Sequence, residues 1–148
     1  MLLSAVGCGP PAEVRPVLIP VQGSLLVNGK PAAGAMVVFH PAGGASIDER
    51  GSRPKAMVLP DGSFEVTTYQ AGDGAPAGDY DVAVLWLVNN GGDSSWDKLR
   101  GAYADPERTN LRVSIDEQGG TLDPIRIDGA AIAPPPPPSG DIDFDQVD

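Results

Sequence analysis

His40 is the single histidine of the chain and Cys8 its single cysteine, so catalytic and metal-binding readings have few groups to work with. An imidazole that changes charge near neutral pH is the commonest general acid or base. Ser46 and Ser52 follow it, and with any of the many acids they compose a Ser-His-Asp triad on paper. A triad is a geometry rather than an inventory, and no Gly-x-Ser-x-Gly turn presents either serine. Zinc needs more ligands than one histidine and one N-terminal cysteine supply. Gly72-Asp73-Gly74 offers the carboxylate and carbonyl oxygens that Ca²⁺ takes; the same glycines equally permit a tight backbone excursion stiffened by Pro76. Lys30 or Lys55, Asn28 or Asn110, and Glu65 are the residue types of an intramolecular isopeptide, but no spacing selects a triple. The residues therefore predict no catalytic group, no metal and no cofactor. An enzyme with an unrecognised site is the alternative from a different class.

Two aromatic residues are candidates for contact with a ligand or partner. Trp96 lies in the polar stretch Asn89 to Asp97, and Tyr103 lies in the same long connection. An indole among Asn, Asp and Ser residues can stack on a sugar or anchor a partner. It can equally close the open end of a core and be buried. The first use makes the chain a carbohydrate-binding module centred on Trp96 in the 88–100 loop.

The net charge is −10 and is unevenly placed. From Asp128 onward there are five acids and no bases, while the first 127 residues hold fifteen acids and ten bases. Such a balance repels phosphate backbones, and no Lys/Arg cluster offsets it, which excludes a nucleic-acid partner.

Residues 1–8 read as a truncated signal peptide. Small residues after an apolar run and directly before Cys8 resemble the lipobox of bacterial lipoproteins, with Ala5 where Leu is usual. In that pattern a signal peptidase cuts before the cysteine, whose thiol carries the lipid. Cys8 is thus the expected lipidation site and the membrane the expected partner, in an extracytoplasmic, membrane-anchored protein; envelope proteins or glycans are further partners. An unmodified cysteine near a cytosolic N-terminus is the competing reading. Residues 9–20 form a Pro-rich spacer. Residues 128–148 form an acidic tail whose five prolines, Pro134 to Pro138, favour polyproline II. Beyond them, acids alternate with apolar residues, and like charges on one strand face would repel. We expect that segment to be disordered, with a weak Ca²⁺ site as the alternative.

Residues 21–127 must position whatever site exists. With 19 Gly and 16 Pro in the chain, short strands are favoured over helices. About seven candidate strands follow one another. Val21, Gly23, Leu25 and Val27 share one face before the hairpin signal Asn28-Gly29. Ala35, Val37 and Phe39 mark a second strand, Lys55 to Leu59 a third, and Phe64, Val66 and Thr68 a fourth with a period of two. Tyr80, Val82, Val84, Trp86 and Val88 form the fifth, apolar on both faces in its second half and so central. Leu111, Val113 and Ile115 form the sixth. Ile125 and Ile127 form the last, which Pro124 assigns to an edge or a bulge. The loops 43–53 and 88–100 are the candidates to carry function.

The order of these motifs resembles the carboxypeptidase-regulatory-like, transthyretin-like β-sandwich domain. The matching residues are Gly23, Asn28-Gly29-Lys30-Pro31, Ala33-Gly34-Ala35 with Val37 and Phe39, Asp61-Gly62-Ser63-Phe64, and Gly78-Asp79-Tyr80 with Val82 and Val84. More narrowly, Thr67-Thr68-Tyr69, Gly72-Asp73-Gly74-Ala75-Pro76 and Tyr103-Ala104-Asp105-Pro106 look like those of small planctomycete lipoproteins of that type. The resemblance implies an all-β, about seven-stranded Greek-key sandwich. It also implies an exported location, more than a function; the role expected of such a domain is a non-enzymatic structural, accessory or protein-binding one at the cell envelope. Related hydrolases of 5-hydroxyisourate use several histidines and a C-terminal Tyr-Arg-Gly-Ser, and related intradiol dioxygenases bind iron with two histidines. Neither set is present.

Overall fold

The computed structural model describes residues 15–89 and 95–134. Cys8, the first half of the spacer, the centre of the 88–100 loop and the acidic tail from 135 lie outside the described residues. Within them the fold is all-β and sandwich-like. Eleven strands are formed: β1 (Val21–Val27), β2 (Lys30–Pro31), β3 (Met36–Pro41), β4 (Lys55–Met57), β5 (Ser63–Glu65), β6 (Gly78–Leu85), β7 (Leu87–Asn89), β8 (Ser95–Asp97), β9 (Arg112–Ile115), β10 (Gly120–Thr121) and β11 (Ile125–Ile127). All seven expected stretches contain a strand. The count is nevertheless higher than about seven, because β2, β7, β8 and β10 are short pairings whose residues carry no alternation of their own.

Local chemistry explains the turns. Asn28 and Gly29 have φ of 53° and 79°, the left-handed pair that matches the twist of a two-residue hairpin, and β2 folds back on β1 with Val27 opposite Lys30. At Leu59-Pro60-Asp61-Gly62 the Gly62 N–H donates to the Leu59 carbonyl at 2.8 Å. The Asp61 carboxylate accepts both the N–H and the hydroxyl of Ser63, as a short acidic side chain does when it replaces a backbone acceptor.

One sheet is centred on β1. Along one edge β1 pairs antiparallel with β5 and then β2; along the other it pairs parallel with β10 and β11. On this second edge Gln22 faces Thr121 but Leu25 faces Ile125. Three steps along β1 thus match four along its partner, and the surplus residue falls in the Leu122–Pro124 stretch. Proline cannot donate to a ladder, so it sits in this bulge on an edge strand, as expected. The other sheet has the order β4-β3-β6-β9, all antiparallel.

The inner faces meet through aromatic rings. Phe39 of β3 lies 6.2 Å from Phe64 of β5 and 6.1 Å, edge-on, from Tyr80 of β6. Val37, Val82, Val84, Leu25 and Ile127 are buried around them. Gly23 is small because the Phe64 ring lies beneath it; a Cβ there would come within 2.7 Å of Cζ. The Tyr80 hydroxyl donates to the Pro76 carbonyl at 2.6 Å, and burial pushes its pKa up to about 12. Ala83, on the opposite face of β6, is buried too, as the two-sided apolar character of this strand predicts.

The fifth strand departs from expectation at Trp86. Its ladder in the sheet ends at Leu85. The Trp86 backbone N–H donates instead to the Asp97 carboxylate at 3.0 Å, and its indole N–H to the Ala33 carbonyl at 2.9 Å. Residues 87–89 then turn into a separate hairpin with 95–97. Both ends of the body extend past the expected boundaries at 21 and 127. Ile19 exchanges two backbone hydrogen bonds with Ala75, the Asn28 side chain clasps the Ala130 backbone, and the Ala133 N–H reaches the Lys98 carbonyl.

Candidate functional site

Strand register brings three polar side chains together that sequence position keeps far apart. His40 pairs with Asp81, and Asp81 with Arg112. The neighbouring residues Phe39 and Val82 face the core, so His40, Asp81 and Arg112 stand side by side on the outer face of the sheet. The Arg112 Nε donates to Asp81 Oδ1 at 3.1 Å.

This row floors an open groove of about 650 Å³, with Ser46, Ser52 and Arg53 on one wall and Glu107 and Asn110 on the other. The first wall belongs to the 43–53 loop, which Asp48 holds in place. Its Oδ1 accepts the N–H groups of Arg50 and Ser52, and its Oδ2 accepts the Tyr69 hydroxyl at 2.6 Å. Hydrogen bonds from Ser52 and Tyr69 hold the Asp48 carboxyl far below the usual carboxylate range. The second wall turns at Asp105, whose side chain accepts the Glu107 N–H. Asn110 follows with φ of 55°, a left-handed conformation that asparagine tolerates better than most residues. Burial, and then the Arg53 charge, hold the His40 pKa below its ordinary value; Asp81 and Asp105 pull the other way and are outweighed.

The residues of the paper triad thus share one groove without being hydrogen-bonded into a triad. Ser46, Ser52, His40 and Asp81 all line it. No hydrogen bond joins a serine to His40 or His40 to Asp81 among the described residues, and Asp81 is engaged by Arg112. Sequence reasoning does not single out Arg53, Asp81 or Arg112. The available signal is a polar residue at an outward position of an otherwise apolar strand, and it does not say which strands are neighbours.

The other candidates are placed elsewhere. Trp96 is not in a loop but in β8, opposite Val88, where it is half-buried and its indole N–H is enclosed without an acceptor. Tyr103 packs against the core, and its carbonyl accepts the Val84 N–H, extending the ladder along β6. Neither lines the groove. Asn28 is committed to Ala130, and Lys30, Lys55, Glu65 and Asn110 are exposed, so no buried isopeptide triple is assembled. Among the described residues no group of three or more His, Cys, Asp or Glu side chains is arranged for a metal ion.

Asp73 is used structurally. Its carboxylate accepts the N–H groups of Thr68, Tyr69 and Gln70 at 2.7–2.9 Å. Burial raises its pKa, but these three bonds outweigh that and leave it below its ordinary 3.8. A depressed carboxyl contributes stability that is present above the unfolded value and lost as pH falls through the folded one. Asp73→Asn is therefore expected to be less stable than wild type at pH 7. The difference shrinks below pH ~4 as the wild-type carboxylate protonates, which urea midpoints across an acid titration measure.

Compared with known proteins, the chain matches no family model, no curated protein and no solved structure.

Proposed function

We propose that this chain is an exported, envelope-associated sandwich of the transthyretin-like type, tethered to the membrane by a lipid on Cys8. It acts as a structural or binding accessory and carries no catalysis of its own. The observation that supports a binding role over an enzymatic one is the arrangement of the groove. A rigid sheet and two pinned loops present hydroxyls, guanidinium groups and one imidazole to solvent, with no nucleophile bonded to a base. The ordered turn motifs, with Asn28-Gly29 and Asp61-Gly62 at tight turns between strands, support the transthyretin-like reading.

The tether is tested in cells that make the full precursor. Wild-type chain is expected in the membrane fraction with a diacylglyceryl adduct on Cys8 by mass spectrometry. Cys8→Ser is expected to move it to the soluble fraction. Wild-type chain recovered soluble with a free Cys8 thiol overturns the assignment.

A further inference from the structure

The groove over β3, β6 and β9 has a chemical character more specific than polarity. Arg53 makes no hydrogen bond or ion pair among the described residues and faces His40 closely enough to bear on its charge. Arg112 spends its Nε–H on Asp81, and its two terminal nitrogens make no hydrogen bond among the described residues. That bond orients the guanidinium plane while leaving its outer fork for another acceptor. The pair carries no net charge, so Arg53 is the cation of the groove without a carboxylate partner and Arg112 contributes its free N–H donors. The other polar groups of the lining are the hydroxyls of Ser46 and Ser52, the amide of Asn110 and the Glu107 carboxylate.

We propose that this groove binds an oxyanion carried on a small hydroxylated ligand, a sugar acid or a sugar phosphate. Arg53 and Arg112 take the charged group, while Ser46, Ser52 and Asn110 hydrogen-bond the hydroxyls. The volume of about 650 Å³ is in the range of small-molecule sites and holds a mono- or disaccharide. A long polyanion is disfavoured, because the net charge of −10 repels whatever extends beyond the groove. His40 adds a positive charge when protonated, so binding and protonation reinforce one another. The charged groups facing His40 are Arg53 from the 43–53 loop, Asp81 from β6, Arg112 from β9, and Asp105 and Glu107 from the turn before β9. This inference rests on the groove alone and stands or falls independently of export and the Cys8 lipid.

The single histidine makes the test clean, since the Hε1 proton of its imidazole has no second histidine to overlap it by NMR. Full-length chain is titrated with glucuronate, glucose 6-phosphate, inorganic phosphate and, as the neutral control, glucose. At least one of the three anions is expected to shift the His40 signal saturably. For glucuronate, whose charge is constant in this range, affinity is expected to rise as pH falls through the His40 titration, and the bound form to titrate at higher pH than the free form. Arg53→Gln and Arg112→Gln are expected to weaken that binding at least tenfold, whereas Arg126→Gln, exposed on β11, leaves it unchanged. His40→Asn, followed by calorimetry with glucuronate, is expected to retain binding and lose the pH dependence that His40 confers. Saturation by glucuronate or glucose 6-phosphate more tightly than by phosphate supports the assignment, whereas saturation by phosphate alone identifies a bare anion site and overturns it. It is also overturned if none of the three anions binds, if glucose binds equally well, or if Arg53→Gln binds as wild type does.

Discussion

Phe39→Ala is expected to lower the unfolding free energy by about 4 kcal/mol, within the range for truncating a buried aromatic ring. Phe39 is fully buried and is the ring that touches both sheets, tilted against Phe64 and edge-on to Tyr80. Removing it abandons the dispersion contacts of the ring and leaves a cavity that two sheets cannot easily close. The two aromatic pairs add roughly 1 kcal/mol each beyond the area they bury. Phe39→Leu, which keeps most of the volume, should cost much less. Met57 lies on the outer face of β4 and is half-exposed, so Met57→Ala should stay within about 0.5 kcal/mol of wild type. Urea denaturation of the three variants reads the effect as a shift in midpoint at constant slope. A loss below about 1 kcal/mol for Phe39→Ala would mean that the sheets do not pack through this ring.

Gly74→Ala is the second large effect, and its origin is backbone rather than core. Gly74 has φ of 91°, and a methyl group there would overlap the Ile19 carbonyl oxygen. Both residues belong to main chain fixed by the Ile19–Ala75 pairing and by the Gly74 N–H bond to the Val66 carbonyl. No side chain can swing away, so the pairing of the N-terminal segment must break. The expected cost is about 4 kcal/mol, combining left-handed strain with the lost contacts. Gly34 provides the comparison: its φ is 83°, but nothing lies within 4 Å of an added Cβ. Gly34→Ala should therefore show only the conformational penalty, roughly 1–2 kcal/mol. Equal losses at the two positions would show that close approach contributes nothing at Gly74.

The acid surplus takes on a different meaning in the structure. From the sequence it is a charge that repels other anions. In the fold, Asp48, Asp61, Asp73, Asp97, Asp105 and Asp116 each accept backbone N–H groups at turns. Aspartate favours such places because its short side chain reaches amides a few residues away. Asp97 goes further, joining the Trp86, Leu99 and Gly101 amides, and so holds the β7–β8 hairpin to the end of β6. Part of the negative charge is thus structural, and in the groove Asp81 and Glu107 stand beside Arg53 and Arg112.

By itself the sequence determined the all-β class, the inward faces of β1, β3, β5 and β6, and the tight turns at Asn28-Gly29 and Asp61-Gly62. These depend on side-chain alternation and on the φ values that a few residues tolerate, both of which act over two to four positions. It also placed His40 at a strand end and assigned the strand of Pro124 to an edge or a bulge. Only the tertiary structure decided that β1 pairs in parallel with β10 and β11, about a hundred residues further along the chain, because register between distant strands leaves no local mark. The exit of Trp86 from the sheet was equally hidden, since its indole bonds the Ala33 carbonyl 53 residues away. The same holds for the groove. His40, Asp81 and Arg112 are each ordinary outward-facing residues, and their meeting is set by the alignment of three strands against a common core.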